Sequence, residues 1–314
     1  VIKWNLPLWG GPRSWTRHVE RWAEDMSKQT NGRWQIKIHY GEVLAAQADN
    51  PDGIKGGLFE AGGYMGLFSP GKLPLSTVLG LPFLSPSDPV QVGRLSEALG
   101  EHPAIAEELG KWNARLLLMS FIEPYELMGN KRIATAADLK GARIRIAADA
   151  GKPLEKFGAV SVMVPTPDIY TGLERGTFDL VAPSPAAAYD YKWHEVSKYY
   201  TTGLGIQTNF SFYMCSKKAW DALPEEFKKL HMAWQPKSVD ELLKDRTPVY
   251  KDAVEAFKKA KLEFIEFPPA ERAKLVEASQ PFWDEWVSRM EARGLPGKAL
   301  LDYVVAKRKA IAGY

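Results

Sequence analysis

The order of elements along the chain predicts an α/β fold of two lobes, each a mostly parallel sheet flanked by helices. Strand-type and helix-type periodicities alternate from Ile2 to Cys215, the pattern of strands joined by helical crossovers. A second alternating series of the same kind begins near Leu127. No Pro- or Ser-rich linker separates the two series, and no repeat or low-complexity tract interrupts them. The chain is therefore expected to enter each lobe more than once and to form a clamshell with a ligand in its cleft. A length of 314 residues accommodates this.

The first series reads as strand, helix, strand. Residues 2–6 form the opening strand, and Pro7 to Arg13 is a Gly/Pro loop. Ser14 is placed to cap a helix whose apolar face is Trp15, Val19, Trp22, Ala23 and Met26, and Asn31-Gly32 stops it. Residues 34–40 alternate with period two, as a half-buried strand does; it should lie parallel to the first through a right-handed crossover. A short strand follows at 60–66 and a loop at 67–75. Helices are expected over 89–99 and 104–112, and the apolar run 115–121 suits a strand buried on both faces.

In the second series a strand ends at Arg145, a helix covers 153–157 and a strand covers 161–164. Thr166-Pro167-Asp168 then opens a helix that Gly176 closes, before strands at 178–181 and 206–215. The last third is mostly helical. Ser238-Val239-Asp240-Glu241 has the form of a capping box, and Pro248 is expected to bend or restart its helix. A helix from Ala270 should break at Pro281 and end at Gly294, and the last helix covers 300–311.

Hydrophobic residues make up 45% of the chain and charged residues 25%, a globular mixture rather than a disordered one. The net charge is +3, the basic residues are scattered, and clusters such as Lys131-Arg132 and Lys307-Arg308-Lys309 have no stacking aromatics among them. Nucleic acid is not an expected partner. The single cysteine, Cys215, rules out an internal disulfide and argues against a thiol-rich metal site. No apolar run approaches a membrane span. The chain opens on strand-like residues without a charged-then-apolar leader, as a mature or trimmed protein would, so this start does not argue for the cytoplasm.

Arg145 is the most informative residue. Ile144 and Ile146 take one face of its strand, while Arg143 and Arg145 take the other. A guanidinium offers a planar fork of donors that matches a carboxylate, and Arg145 lies nearer the strand's carboxyl end, where open α/β sheets bind ligands. Two solvated charges on an edge strand explain the spacing equally well. Trp9 and Tyr64 stand near the ends of their strands, where aromatic rings either pack under a loop or wall a small ligand.

Other chemistries find little support. Gly66 to Lys72 matches the first part of a phosphate-loop pattern, but Leu73 stands where a hydroxyl must hold magnesium, and Pro70 and Pro74 spoil the loop and its helix. None of the five histidines is paired at helical spacing, and no nucleophile elbow occurs. Neither a cofactor nor a metal is called for. Carboxylates that meet only in space stay open as an acid–base pair.

Asp138 to Arg145, then Phe157-Gly158-Ala159, then Tyr170 to Asp179, together with Leu81-Pro82-Phe83-Leu84 and Ala219 to Pro224, resemble the solute-binding proteins of TRAP transporters, the DctP-type family. The resemblance implies a periplasmic-binding-protein clamshell with a long helix after Pro224 spanning both lobes. It implies lobes of 1–121 plus 207–247 and 122–206 plus 248–314. It also implies a periplasmic, non-enzymatic protein that closes on a small organic acid and hands it to membrane permease subunits. In this family the arginine matching Arg145 grips the substrate carboxylate. Thr166 and Ser184 fall at positions that face the cleft in relatives, and Phe210 is placed to close the pocket.

Two departures bear on the ligand. Some members carry a second arginine roughly where Glu126 falls and an asparagine near Pro183. Their loss argues against a heavily hydroxylated acid or a dicarboxylate, and an apolar or aromatic monocarboxylate suits Trp9 and Tyr64. A hydrolase or lyase with acids in the cleft and an extracytoplasmic sensor domain are the alternatives.

Overall fold

The computed structural model describes residues 1–66, 69–146 and 148–312. Two compact units divide the chain: 1–78, 93–121 and 209–247 form the first, and 79–92, 122–208 and 248–314 the second. Residues 79–92 thus fall in the second unit, although the sequence reading kept them in the first. The reason lies in their backbone. Phe83 N donates to Ile206 O at 2.8 Å, and Arg272 donates to the carbonyl oxygens of Ser85 (2.9 Å) and Leu204 (2.7 Å). Arg308 holds Leu84 O at 3.0 Å, and Trp283 Nε1 holds Pro82 O at 2.9 Å.

In the first unit β1 (Ile2–Pro7) and β2 (Trp34–His39) pair in parallel across α1 (Arg17–Gln29), with Ile2 opposite Trp34. A second sheet runs β3 (Ala61–Met65), β10 (Phe210–Ser216), β4 (Ala114–Phe121), with β10 antiparallel to both neighbours. An antiparallel ladder needs no helical crossover, so a strand arriving late in the chain can complete it. All seven residues of β10 are buried, which explains why its apolar run shows no alternation. Helices α2 (Asn50–Gly56), α3 (Pro89–Gly100), α4 (Pro103–Gly110), α8 (Lys217–Asp221) and α9 (Glu225–Trp234) complete the elements that belong wholly or largely to this unit.

The second unit contains one six-stranded sheet in the order β11 (Glu263–Glu266), β9 (Tyr199–Thr202), β5 (Leu127–Gly129), β8 (Leu180–Val181), β6 (Arg143–Arg145), β7 (Val160–Val162). β6 runs parallel to β7 and β8, and β9 runs parallel to β11, while β5 is antiparallel to its neighbours. Around it lie α5 (Ala148–Glu155), α6 (Ile169–Glu174), α7 (Pro185–Asp190), α11 (Pro269–Glu291) and α12 (Gly297–Ala312). Ile144, Ile146, Leu139, Leu154 and Leu275 belong to one buried cluster of this unit. Helix α10 (Ser238–Lys259) carries residues of both units, the division falling at 247/248. Among the described residues no helix is long and apolar enough to cross a membrane.

Several local expectations need correction. α1 begins at Arg17 rather than after Ser14, because Arg13 N and Thr16 Oγ1 close a turn at 3.0 Å and Ser14 Oγ instead accepts from Arg246 at 2.8 Å. No capping box forms at Ser238, whose Oγ accepts from Met119 N at 3.2 Å. The long helix after Pro224 is two helices, α9 and α10, joined by a 3-10 turn at Gln235–Lys237 that contains Pro236. Pro248 and Pro281 both lie inside continuous helices. Each removes one backbone donor, but the buried faces on either side, Leu242 and Phe257 in α10, Leu275 and Trp286 in α11, hold the helix together. α5 starts at Ala148 with Pro153 inside it, rather than at Pro153. β9, β11 and α7 have no counterpart in the sequence reading.

His18 and His231 are fully buried, and burial lowers both pKa values to about 3. Trp22 Nε1 donates to His231 Nδ1 at 3.1 Å, which requires the neutral ring. Unfolded histidine titrates near 6.5, so unfolding takes up protons below that pH, and stability present above it is lost as pH falls from 6.5 toward 3. Replacing His231 by Asn keeps an acceptor for Trp22. The variant should show a shallower fall in melting temperature between about pH 6.5 and 4.5 by circular dichroism; an identical slope would remove His231 from the acid response.

Candidate functional site

β6 positions two arginines and gives them opposite fates. Its register sets Arg145 beside Val162 of β7 and Val181 of β8, so Arg145 stands at the carboxyl edge of three parallel strands. Flanked on both sides, β6 is not an edge strand. Arg143 is fully engaged: its guanidinium bonds Asp179 (2.7 Å), Thr177 O (2.9 Å) and Gly176 O (2.9 Å), and Asp179 also accepts from Arg143 N at 2.8 Å.

Arg145 is held differently. Its Nε donates to Val164 O at 3.0 Å, which orients the plane of the guanidinium. Among the described residues no carboxylate pairs with it, and its two terminal nitrogens have no protein partner. Half-burial, the larger effect, lowers its pKa, and the nearby Tyr125 phenol partly opposes that. A desolvated cation without an anion is costly, whereas an incoming carboxylate would meet two aligned donors.

Tyr125 was missed in the sequence. The family resemblance points to Glu126, but adjacent extended residues face opposite ways. It is Tyr125 whose phenol lies close enough for Arg145 to lower its pKa, although burial raises that pKa overall. The Glu126 carboxylate turns away to accept from Leu204 N (2.9 Å) and Gly205 N (3.3 Å). Period-two alternation into β5 was the available signal.

Thr166 follows β7 in a 3-10 turn, half-buried, and its hydroxyl makes no hydrogen bond to a described residue. Ser184 follows β8 and is buried; its Oγ caps α7 by accepting from Ala187 N at 3.3 Å, leaving its O–H able to donate. Arg145, Thr166 and Ser184 thus share the carboxyl edge of the β7–β6–β8 run.

The other three expected residues lie in the first unit. Trp9, half-buried, tilts against Trp15 with ring centroids 4.6 Å apart. Arg13, which the sequence reading passed over, sits 5.0 Å from the Trp9 ring centroid and 5.2 Å from that of Trp15. Its Nη1 donates to Trp9 O (3.0 Å) and Gly11 O (2.8 Å), and the left-handed φ of Gly10 (62°) lets the loop curl around it. Tyr64 is fully buried and bonds Ser69 O at 2.9 Å; burial raises its phenol to about 12, so it remains protonated. Phe210 is buried 4.9 Å from Phe212, which lies 5.4 Å from Tyr64.

The remaining reactive side chains are quiet. Burial pushes the Cys215 thiol up to about 12, far from a nucleophile's range. Lys72 is bound by Ala48 O (2.7 Å), Asp49 (2.9 Å) and Asp52, so it is not presented to a phosphate; Leu67 and Phe68 of that loop lie outside the described residues. Among the described residues no group of three or more His, Cys, Asp or Glu could hold a metal ion.

A family model described as bacterial extracellular solute-binding protein, family 7 (DctP), matches residues 9–289. A solute-binding protein of Chromohalobacter salexigens is 23% identical over 303 residues, covering 90% of this chain and 83% of its own. The fold is also that of solved proteins at low identity. A TRAP periplasmic solute-binding protein from Desulfovibrio salexigens, holding the C-terminus of a symmetry mate in its ligand-binding site, superposes with a TM-score of 0.86 at 22% identity, covering 98% of this chain and 96% of that one. A marine metagenome TRAP solute-binding protein specific for aromatic acids, in complex with metahydroxyphenylacetate, gives 0.79 at 20% identity, covering 100% and 99%. A Bordetella pertussis extracytoplasmic solute receptor binding pyroglutamic acid gives 0.75 at 22% identity, covering 97% and 99%.

The contrast between the two arginines predicts a contrast in stability. Asp179→Asn removes a partner of both the Arg143 side chain and its backbone, and should lower the melting temperature measurably. Arg145→Ala removes a half-buried cation that pairs with no described carboxylate, and should leave the melting temperature nearly unchanged. A large destabilisation by Arg145→Ala in thermal denaturation would show that the residue is structural.

Proposed function

Because the chain belongs to family 7 of the bacterial extracellular solute-binding proteins, we propose that it captures a small organic acid in the periplasm and delivers it unchanged to a membrane permease. One observation carries this reading: Arg145 is oriented by Val164 O and half-buried, yet its terminal nitrogens have no protein partner among the described residues. The ligand's carboxylate takes those two donors, with Thr166, Ser184 and Tyr125 able to add hydrogen bonds. A peptide C-terminus, the group held in the Desulfovibrio salexigens site, ends in the same chemical group.

The ligand is proposed to be an apolar or aromatic monocarboxylate. Glu126 stands roughly where some relatives are expected to carry a second arginine, and Tyr125 is the neighbour that approaches Arg145, so a second carboxylate has no cation to meet there. Trp9, Tyr64 and Phe210 are proposed to contribute aromatic surface to the bound state. Binding selects the closed conformation only to the extent that the ligand binds it better than the open one. Exclusion of water then strengthens the charge-assisted bonds to Arg145.

Mass spectrometry of acid released from the purified protein, followed by calorimetry with aromatic, aliphatic and hydroxylated acids, tests the reading. Intact monocarboxylates should bind, and Arg145→Ala should weaken them at least 100-fold, a loss of about 3 kcal/mol. Arg145→Lys should recover only part, since an ammonium cannot present a planar fork. Unchanged affinity in Arg145→Ala, or chemical conversion of the bound acid, would overturn the proposal.

A further inference from the structure

A second pocket, of about 230 Å³, lies wholly within residues of the second unit and is walled by Glu123, Glu126, Tyr200, Tyr250, Pro124 and Pro185 among others. Glu123, Pro124 and Glu126 line it, whereas Tyr125 and Arg145 do not. Glu126 is 5% exposed, with its carboxylate on the amides of Leu204 and Gly205. Tyr200 is 0% exposed, and its hydroxyl has no hydrogen-bond partner among the described residues. That hydroxyl nevertheless lies near enough for the Glu126 charge to raise its pKa. A buried hydroxyl left unpaired is unfavourable, and here it shares a pocket with a buried acid.

The lining includes three acids, Asp88, Glu123 and Glu126, and no cationic residue. Arg272, which packs behind Glu126 from α11, directs donors to the carbonyls of Leu204 and Ser85. The acids do not form a group able to hold a metal ion, and the remaining walls are the phenol rings of Tyr200 and Tyr250, three prolines, and Ser87, Thr202 and Gly203. We propose that this pocket is a second binding site, for a small primary ammonium cation. Its N–H groups would be shared between the Glu126 carboxylate and the Tyr200 hydroxyl, and its hydrocarbon would lie against Pro124 and Pro185.

This site would be sensitive to pH. Burial raises the Glu126 pKa to about 8 against the amides of residues 203–205 and Arg272. Tyr200 from β9, Tyr250 from α10, Asp88 ahead of α3 and Glu123 on the same segment are the other titratable groups around it. An ammonium requires the ionised form, so binding below pH 8 expels a proton and tightens as pH rises.

Titration calorimetry of the whole chain with butylammonium chloride, in two buffers of different ionisation enthalpy, tests the proposal. Affinity should be roughly tenfold higher at pH 8.5 than at pH 7, with close to one proton released at pH 7. Tyr200→Phe keeps the ring, removes an unpaired hydroxyl, and should leave the melting temperature unchanged while weakening butylammonium about tenfold. Glu126→Gln should abolish binding. No binding by the parent chain, undiminished binding by folded Tyr200→Phe, or equal displacement by sodium at matched concentration would overturn it.

Discussion

The bond from Arg145 Nε to Val164 O does more to define this protein than its length suggests. A guanidinium has five N–H donors, and a protein that uses most of them has built a strut, as Arg143 is with four bonds to Asp179, Thr177 and Gly176. Spending one donor on a carbonyl fixes the plane of the fork without neutralising the charge. The parallel β7–β6–β8 run holds both ends of that bond, since Arg145 closes β6 and Val164 lies just beyond β7. Ile144 and Ile146 anchor the intervening backbone in the core, so the sheet's rigidity becomes the rigidity of the donor plane.

Much of this could be read before any coordinates. The alternation of β1 and β2, the two faces of β6, and the stops at Asn31-Gly32 and Gly294 are local patterns, and local patterns survive folding. The roles of Arg143 and Arg145 were not separable, because the distinction depends on Asp179, distant in sequence. The continuity of α10 and α11 through proline was also out of reach. Whether a helix tolerates a missing donor depends on what its buried face packs against, and no window of sequence contains that. β9 and β11 are short and pair mainly with each other and with β5, so their period never develops. Aromatic residues were read as a class, whereas the structure separates Tyr64, bonded to Ser69, from Trp9, which shares Arg13 with Trp15.

The placement of residues 79–92 illustrates a second kind of long-range information. This stretch carries a left-handed residue, Phe83 (φ 55°), a conformation that a bulky side chain adopts only when its surroundings enforce it. Arg272, Arg308 and Trp283, all from the last quarter of the chain, supply that enforcement by holding the carbonyls of Pro82, Leu84 and Ser85. The second unit is therefore complete only once its C-terminal helices have been made.

Tyr125 and Glu126 are neighbours in the chain, yet one addresses a guanidinium and the other a pair of amides. Deleting a single residue just upstream would rotate this strand end by one step and exchange the two. The carboxylate would then lie against Arg145 as a permanent internal counter-ion. Such a chain could keep every helix and sheet and yet present no open guanidinium, Arg145 being answered from within.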